Sequence, residues 1–156
     1  LHDVIAAARQ AAGEGLARHP VSVSLPESPP LIKLDHHLFA QALANILHNA
    51  TLYTPSGTAI EITAQVPDSR LRVVIRDHGP GLPRGLEHRI FDKFFRAQGA
   101  PAGGTGLGLA IARGFIQAHG GELTARNHPD GGAEFVISLD KIQTLASAPL
   151  NEAESM

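Results

Sequence analysis

Two runs rich in β-branched residues, Thr58–Val66 and Arg70–Asp77, are separated only by Pro67-Asp68-Ser69. So short a break accommodates a hairpin turn and no crossover helix, so the two strands run antiparallel. A second pair, Glu122–Asn127 and Glu134–Leu139, flanks His128-Pro129-Asp130-Gly131-Gly132 and reads the same way. Between and before these hairpins lie stretches with helical spacing. Helices that alternate with hairpins, rather than with single strands, exclude a doubly wound parallel sheet. They predict an α+β fold: a two-layer α/β sandwich whose mixed, mostly antiparallel sheet is covered on one face by about three helices.

The first helix is expected over Val4–Leu16 and is stopped by Pro20. Val21–Leu25 alternates with period two and predicts a strand, and Leu31–Leu34 a shorter one. Asp35 is placed to cap a helix from His36 to Tyr53, which Thr54-Pro55-Ser56-Gly57 ends. A short helix is expected over Leu86–Phe95, and a longer one from Thr105 or Gly106 through His119, closed by Gly120-Gly121. Gln98 to Gly104 holds only small residues, Pro and Gln, and predicts a flexible loop. Residues 1–140 are expected to form one domain, followed by a flexible C-terminal tail over 141–156. The first residue is Leu rather than Met, as expected of a piece of a longer protein.

Composition removes several classes of function. A net charge of −2 carries no basic footprint for nucleic acid. The absence of cysteine excludes disulfides, thiolate catalysis and cysteine-based zinc sites, and fits a reducing, cytoplasmic compartment. No apolar run approaches the length of a membrane span, so no membrane contact by this chain is expected.

Three polar elements carry the chemistry. Asn45 and Asn49 stand four apart, so both project from one helix face, and their amide oxygens suit a hard cation such as Mg²⁺. Asn is a poor helix former, and two on a face shared with Leu43, Ile46, Leu47 and Ala50 need a reason beyond solvation. Tyr53 is one further step along that face and can cover a ring. Asp77 ends a strand and precedes Gly79 and Gly81; its carboxylate accepts hydrogen bonds only, which selects an amine donor such as that of adenine. An ordinary Asp-Gly turn uses the same residues. Gly104-Thr105-Gly106-Leu107-Gly108-Leu109 opens a helix, where exposed amides attract phosphate. No strand leads directly into it and no Walker lysine follows, so neither the dinucleotide fingerprint nor the P-loop applies.

Taken together, the chain resembles the ATP-binding catalytic domain of sensor histidine kinases, within the gyrase/Hsp90/kinase/MutL (GHKL) superfamily. Asn45-Ile46-Leu47-His48-Asn49-Ala50 through Pro55 is similar to that family's N box and Asp77 to Leu82 to its first glycine box. Ile90 to Arg96 follows its F box and Gly104 to Ile111 its second glycine box, in the same order and spacing. Ile90–Arg96 and Gly106–Gly121 most resemble the potassium-sensor (KdpD) type. The resemblance implies a Bergerat fold with ATP and Mg²⁺ as cofactors. It implies Asn49 as the Mg²⁺ ligand with Asn45 beside it near the phosphates. Asp77 would bind the adenine amine, with Gly79, Gly81 and Leu82 shaping that wall and Tyr53 lining the adenine or ribose. Gly104, Thr105, Gly106 and Gly108 would close over the phosphates while Leu107 and Leu109 anchor the lid helix. Lys93 or Arg96 would reach the γ-phosphate.

Two departures stand out. Many relatives carry Lys or Arg three residues after the second Asn, where this chain has Leu52, and an acidic residue where it has His48. His48 can still accept or orient a proton; a solvent-facing spectator is the competing reading. None of the nine histidines lies in a phosphoacceptor motif. The resemblance therefore implies a domain that holds Mg-ATP and passes the γ-phosphoryl group to a histidine on a separate dimerisation hairpin of the same parent protein. A response regulator would follow in two-component signalling. The parent of such a cytoplasmic domain is often anchored in the inner membrane. A nucleotide-dependent regulatory module with weak or no phosphotransfer is the alternative, favoured by Leu52. A hydrolytic superfamily member commonly has Glu where Asn45 stands, and Asn45 argues against one.

Overall fold

The structure is a computed structural model and describes residues 1–96, 104–140 and 142–145. Five strands form one sheet in the order β1-β3-β4-β6-β5. These are β1 (Val21–Ser24), β3 (Ile60–Gln65), β4 (Leu71–Asp77), β5 (Glu122–Asn127) and β6 (Ala133–Leu139). β1 and β3 are parallel; every other neighbouring pair is antiparallel. Three helices, α1 (His2–Ala11), α2 (His36–Tyr53) and α3 (Gly108–Ala118), make the second layer, with α2 packed between α1 and α3. This is the mixed α+β sandwich of the Bergerat type.

Strand alternation sets the buried face. In register across the sheet, Ile62 meets Ile75 and Ile75 meets Phe135, while Ala64, Val73 and Ile137 form the next row. All six are buried. Phe39, Leu43, Ile46 and Leu47 of α2 complete that core with exposures of 1% or less. The row beyond Ile62–Ile75 ends in Ile60 and Asp77. Asp77 thus sits at the end of the central strand, on the side that the helices cover. The β3–β4 turn is tight because Asp68 and Ser69 adopt φ of 50° and 60°, the left-handed pair that a short hairpin requires.

α2 has the expected bounds. The Asp35 carboxylate accepts the Leu38 amide at 3.0 Å, and Thr54 is already extended. At the same end, His119 links α3 to α2. Its Nε2 accepts the Asp35 amide at 3.1 Å, so its Nδ1 carries the proton and donates to the Phe115 carbonyl at 2.8 Å.

Three segments differ from expectation. α1 stops at Ala11, and Glu14–Arg18 forms a separate 3₁₀ turn. The helix expected over Leu86–Phe95 is a single 3₁₀ turn, Arg89–Phe91. Phe94 is left-handed at φ 64° and gives its amide to the Gly106 carbonyl at 2.9 Å instead of to a helical turn. Finally, β7 (Thr144–Leu145) pairs with β2 (Leu31–Ile32), so the chain is held in place past residue 140. Residues 141 and 146–156 of the expected tail, and 98–103 of the expected loop, lie outside the described residues.

Candidate nucleotide site

A cleft of about 280 Å³ opens between α2, the end of β4 and the start of α3. The candidate residues Asn45, His48, Asn49, Tyr53, Asp77, Gly81, Leu82, Gly104, Thr105, Gly106, Gly108 and Leu109 all line it. Gly79, Leu107, Lys93 and Arg96 stand off its wall. Lys93 is exposed. The Arg96 guanidinium lies about 4 Å from the position that a side chain at Gly104 would occupy, on the same side as Leu52.

Asp77 anchors the closed end and is only 6% exposed. Its Oδ1 accepts the Gly79 amide at 2.9 Å and the Ala133 amide at 3.3 Å. Among the described residues no protein donor engages Oδ2. A buried carboxylate with one oxygen committed to the backbone and the other left to a cavity fits a ligand that brings its own donor. The β5–β6 turn closes over this corner. A Cβ on Gly132 would overlap the Asp77 carbonyl oxygen, and Gly132 has φ 85°, so only glycine lets the turn lie there. Arg76, on the other face of β4, donates to the Gly131 carbonyl at 3.1 Å and ties the same turn from behind.

Along α2, the two asparagines are in different states. The Asn45 amide is engaged on both sides: its Oδ1 accepts from Gln41 Nε2 at 2.9 Å, and its Nδ2 donates to the Gly108 carbonyl at 3.1 Å. Asn45 therefore fastens the start of α3 to α2. Among the described residues nothing bonds the Asn49 side chain, whose amide oxygen is available to a cation. His48 is exposed at the rim and Tyr53 is 37% exposed beside it.

The glycine-rich start of α3 is seated on the F-box segment. A Cβ on Gly106 would come within 2.7–2.9 Å of the Phe94 and Phe95 backbone, and Gly106 has φ 74°. Phe91 turns inward, edge-on to Phe135 at 6.5 Å between ring centres, whereas Phe94 is 71% exposed.

Three contributors escape a reading of the sequence. Thr54 is buried, donates to the Ala50 carbonyl at 2.7 Å and sets its methyl against Gly79. Ala133 acts through its backbone amide. Asn127 brackets Leu82, accepting its amide at 2.6 Å and donating to its carbonyl at 3.0 Å. Thr54 directly follows the Asn45–Tyr53 pattern, which is a local signal. The other two reach across 45 residues or more, and no local pattern announces them.

The profile of the histidine kinase-, DNA gyrase B- and HSP90-like ATPases matches residues 34–143. The sensor protein KdpD of Escherichia coli K12 is 44% identical over 140 residues, covering 89% of this chain and 16% of that protein. KdpD of Clostridium acetobutylicum is 33% identical, covering 90% and 16%. The chain thus spans about a sixth of these relatives. Among solved structures, the mycobacterial sensor histidine kinase MprB superposes with a TM-score of 0.80 at 27% identity, covering 92% of this chain and 97% of that one. Full-length ShkA in complex with AMPPNP superposes at 0.75 and 28%, covering 93% and 31%. The chain belongs to the histidine kinase-, DNA gyrase B- and HSP90-like ATPase family, as the catalytic ATPase domain of a sensor histidine kinase.

Proposed function

We propose that the cleft binds Mg-ATP and that the chain donates the γ-phosphoryl group to a histidine on a separate helical hairpin domain of the same parent protein. The observation that carries this reading is the convergence, on one cleft, of a buried carboxylate with a spare oxygen and an asparagine with an uncommitted amide. Asp77 Oδ2 would take the adenine amine while Asn49 Oδ1 would hold Mg²⁺, which neutralises phosphate charge when bound. Asn45 would stay beside it, keeping Gly108 and the α3 N-terminus close to the phosphates, where helix-end amides favour negative charge. Tyr53, Gly81 and Leu82 would shape the base and ribose walls, with Gly79 behind them holding Asp77 through its amide. Gly104, Thr105 and Gly106 would border the phosphates, with Leu107 and Leu109 anchoring the helix behind them. Arg96, near Gly104 and Leu52, is better placed than Lys93 to supply the cation that Leu52 does not. His48 would orient a proton at the rim.

The donor role draws support from ShkA, solved with AMPPNP, and from ThkA, solved with the response regulator TrrA, a likeness of TM-score 0.74 at 25% identity. On this reading the chain works in the cytoplasm, beside a response regulator, and its parent is anchored in the inner membrane. Among the described residues no helix is long and apolar enough to cross a membrane. Leu52 on the cleft wall supports a second reading, a regulatory module that binds nucleotide with weak or no transfer.

Incubation with γ-labelled ATP, alone and with the parent's hairpin domain added in trans, separates the two. Acid-labile, base-stable label on the hairpin, with none on the chain alone, is expected. Nucleotide binding without label on the hairpin would favour the second reading. Efficient acid-labile label on the chain alone would overturn the division between donor and acceptor domains.

A further inference from the structure

Resting on the adenine-site reading above, we infer that Asn127 is the positioning residue for the base wall. Its carboxamide sets the depth of the Gly79–Leu82 loop without touching the nucleotide. Pro80, Gly81 and Leu82 line the cleft, whereas Asn127 does not. The loop is fastened at its start by the Gly79 amide on Asp77 Oδ1. At its end it is fastened by Asn127, which engages both the amide and the carbonyl of Leu82 as a neighbouring strand would. A Cβ on Gly81 would come within 2.6 Å of Asn127 Oδ1, so the side chain also fills the space beneath the loop.

The clamp and the base reader share one frame. Asn127 is paired in register with Ala133, whose amide binds Asp77 Oδ1. Asp77 and the loop that walls its ligand are therefore both referenced to the turn end of the β5–β6 hairpin. A carboxamide is the side chain of this size that offers an acceptor and a donor together, as the amide and carbonyl of one residue require. Asn127→Ala releases both bonds; Asn127→Asp keeps the acceptor but sets a carboxylate oxygen against the Leu82 carbonyl. Asn127 is exposed, so neither change opens the core.

The test joins hydrogen exchange at the Leu82 amide, without nucleotide, to calorimetric titrations of wild type and both variants with ATP, ADP and adenosine. Both variants should exchange Leu82 faster and bind all three ligands about tenfold more weakly. The ratio of ATP to adenosine affinity, the Mg²⁺ dependence and the unfolding midpoint should stay near wild type. Unchanged Leu82 exchange would overturn the clamp, and faster exchange with unchanged affinities would overturn its positioning role. A loss confined to ATP would place the effect at the phosphates, and full binding by Asn127→Asp would remove the two-point bracket; either refutes the inference. If wild type binds none of the three, the adenine-site reading fails by itself and takes this inference with it, whatever Leu82 exchange shows.

Discussion

Replacing Asp77 by Asn changes one atom, and the local geometry makes that change costly for ligand rather than for fold. Oδ1 of Asp77 faces two donors, the amides of Gly79 and Ala133 at 2.9 and 3.3 Å. An asparagine here keeps those bonds only by directing its carbonyl oxygen to them, which turns its NH₂ into the cleft. There it meets the adenine amine, donor against donor. The opposite rotamer spares the ligand but sets NH₂ against both backbone amides. The first arrangement leaves the fold nearly intact and a desolvated donor unpaired in the complex, a cost of about 1–3 kcal/mol. That corresponds to roughly 5- to 150-fold weaker ATP binding, with an unfolding midpoint within about 4 °C of wild type. Calorimetric titration of both proteins with ATP and GTP, beside thermal unfolding, measures this. Wild type should prefer ATP, because the carboxylate would oppose the keto oxygen of guanine; Asp77→Asn should lose most of that preference. Equal ATP affinity in the two proteins, or GTP bound as tightly as ATP by wild type, would refute Asp77 as the base reader.

Other changes probe the remaining walls. Asn49→Ala should abolish most of the gain in ATP affinity that Mg²⁺ confers; if Mg²⁺ tightens binding as much as in wild type, the metal ligand lies elsewhere. Leu52→Lys adds a cation on the wall facing Gly104 and should tighten ATP by about two- to fivefold while leaving adenosine unchanged; equal gains for both ligands would contradict a phosphate contact. Gly132→Ala drives a Cβ into the Asp77 carbonyl at positive φ and should cost about 2–3 kcal/mol, read as a midpoint lowered by roughly 5–10 °C. An unchanged melting curve would show that the turn can move aside.

What the sequence made legible was local. α2 was readable from Asp35 to Thr54 because its cap, its apolar spacing and its Thr-Pro-Ser-Gly stop are all written in one contiguous stretch from Asp35 to Gly57. Both hairpins were readable from β-branched runs flanking turn residues. What stayed hidden depends on partners far along the chain. The expected helix at 86–95 gives way because the Phe94 amide finds Gly106, twelve residues on. Thr144–Leu145 is a strand only by virtue of Leu31–Ile32. At the cleft, the glycine runs and the Asn45–Asn49 spacing marked the wall, since each is a local pattern. The engagement of Asn45 by Gln41 and Gly108, the Ala133 amide at Asp77 and the Asn127 bracket on Leu82 arise from tertiary approach. Lys93 shows the converse: the right residue type in the right motif stands exposed, off the wall.

The central claim is that one cleft reads adenine at Asp77 and holds phosphate with a metal at Asn49. Calorimetric titration of the wild-type chain with ATP, with and without Mg²⁺, tests it most directly. One site per chain is expected, with ATP bound more tightly when Mg²⁺ is present. No binding, or binding indifferent to Mg²⁺, would contradict it.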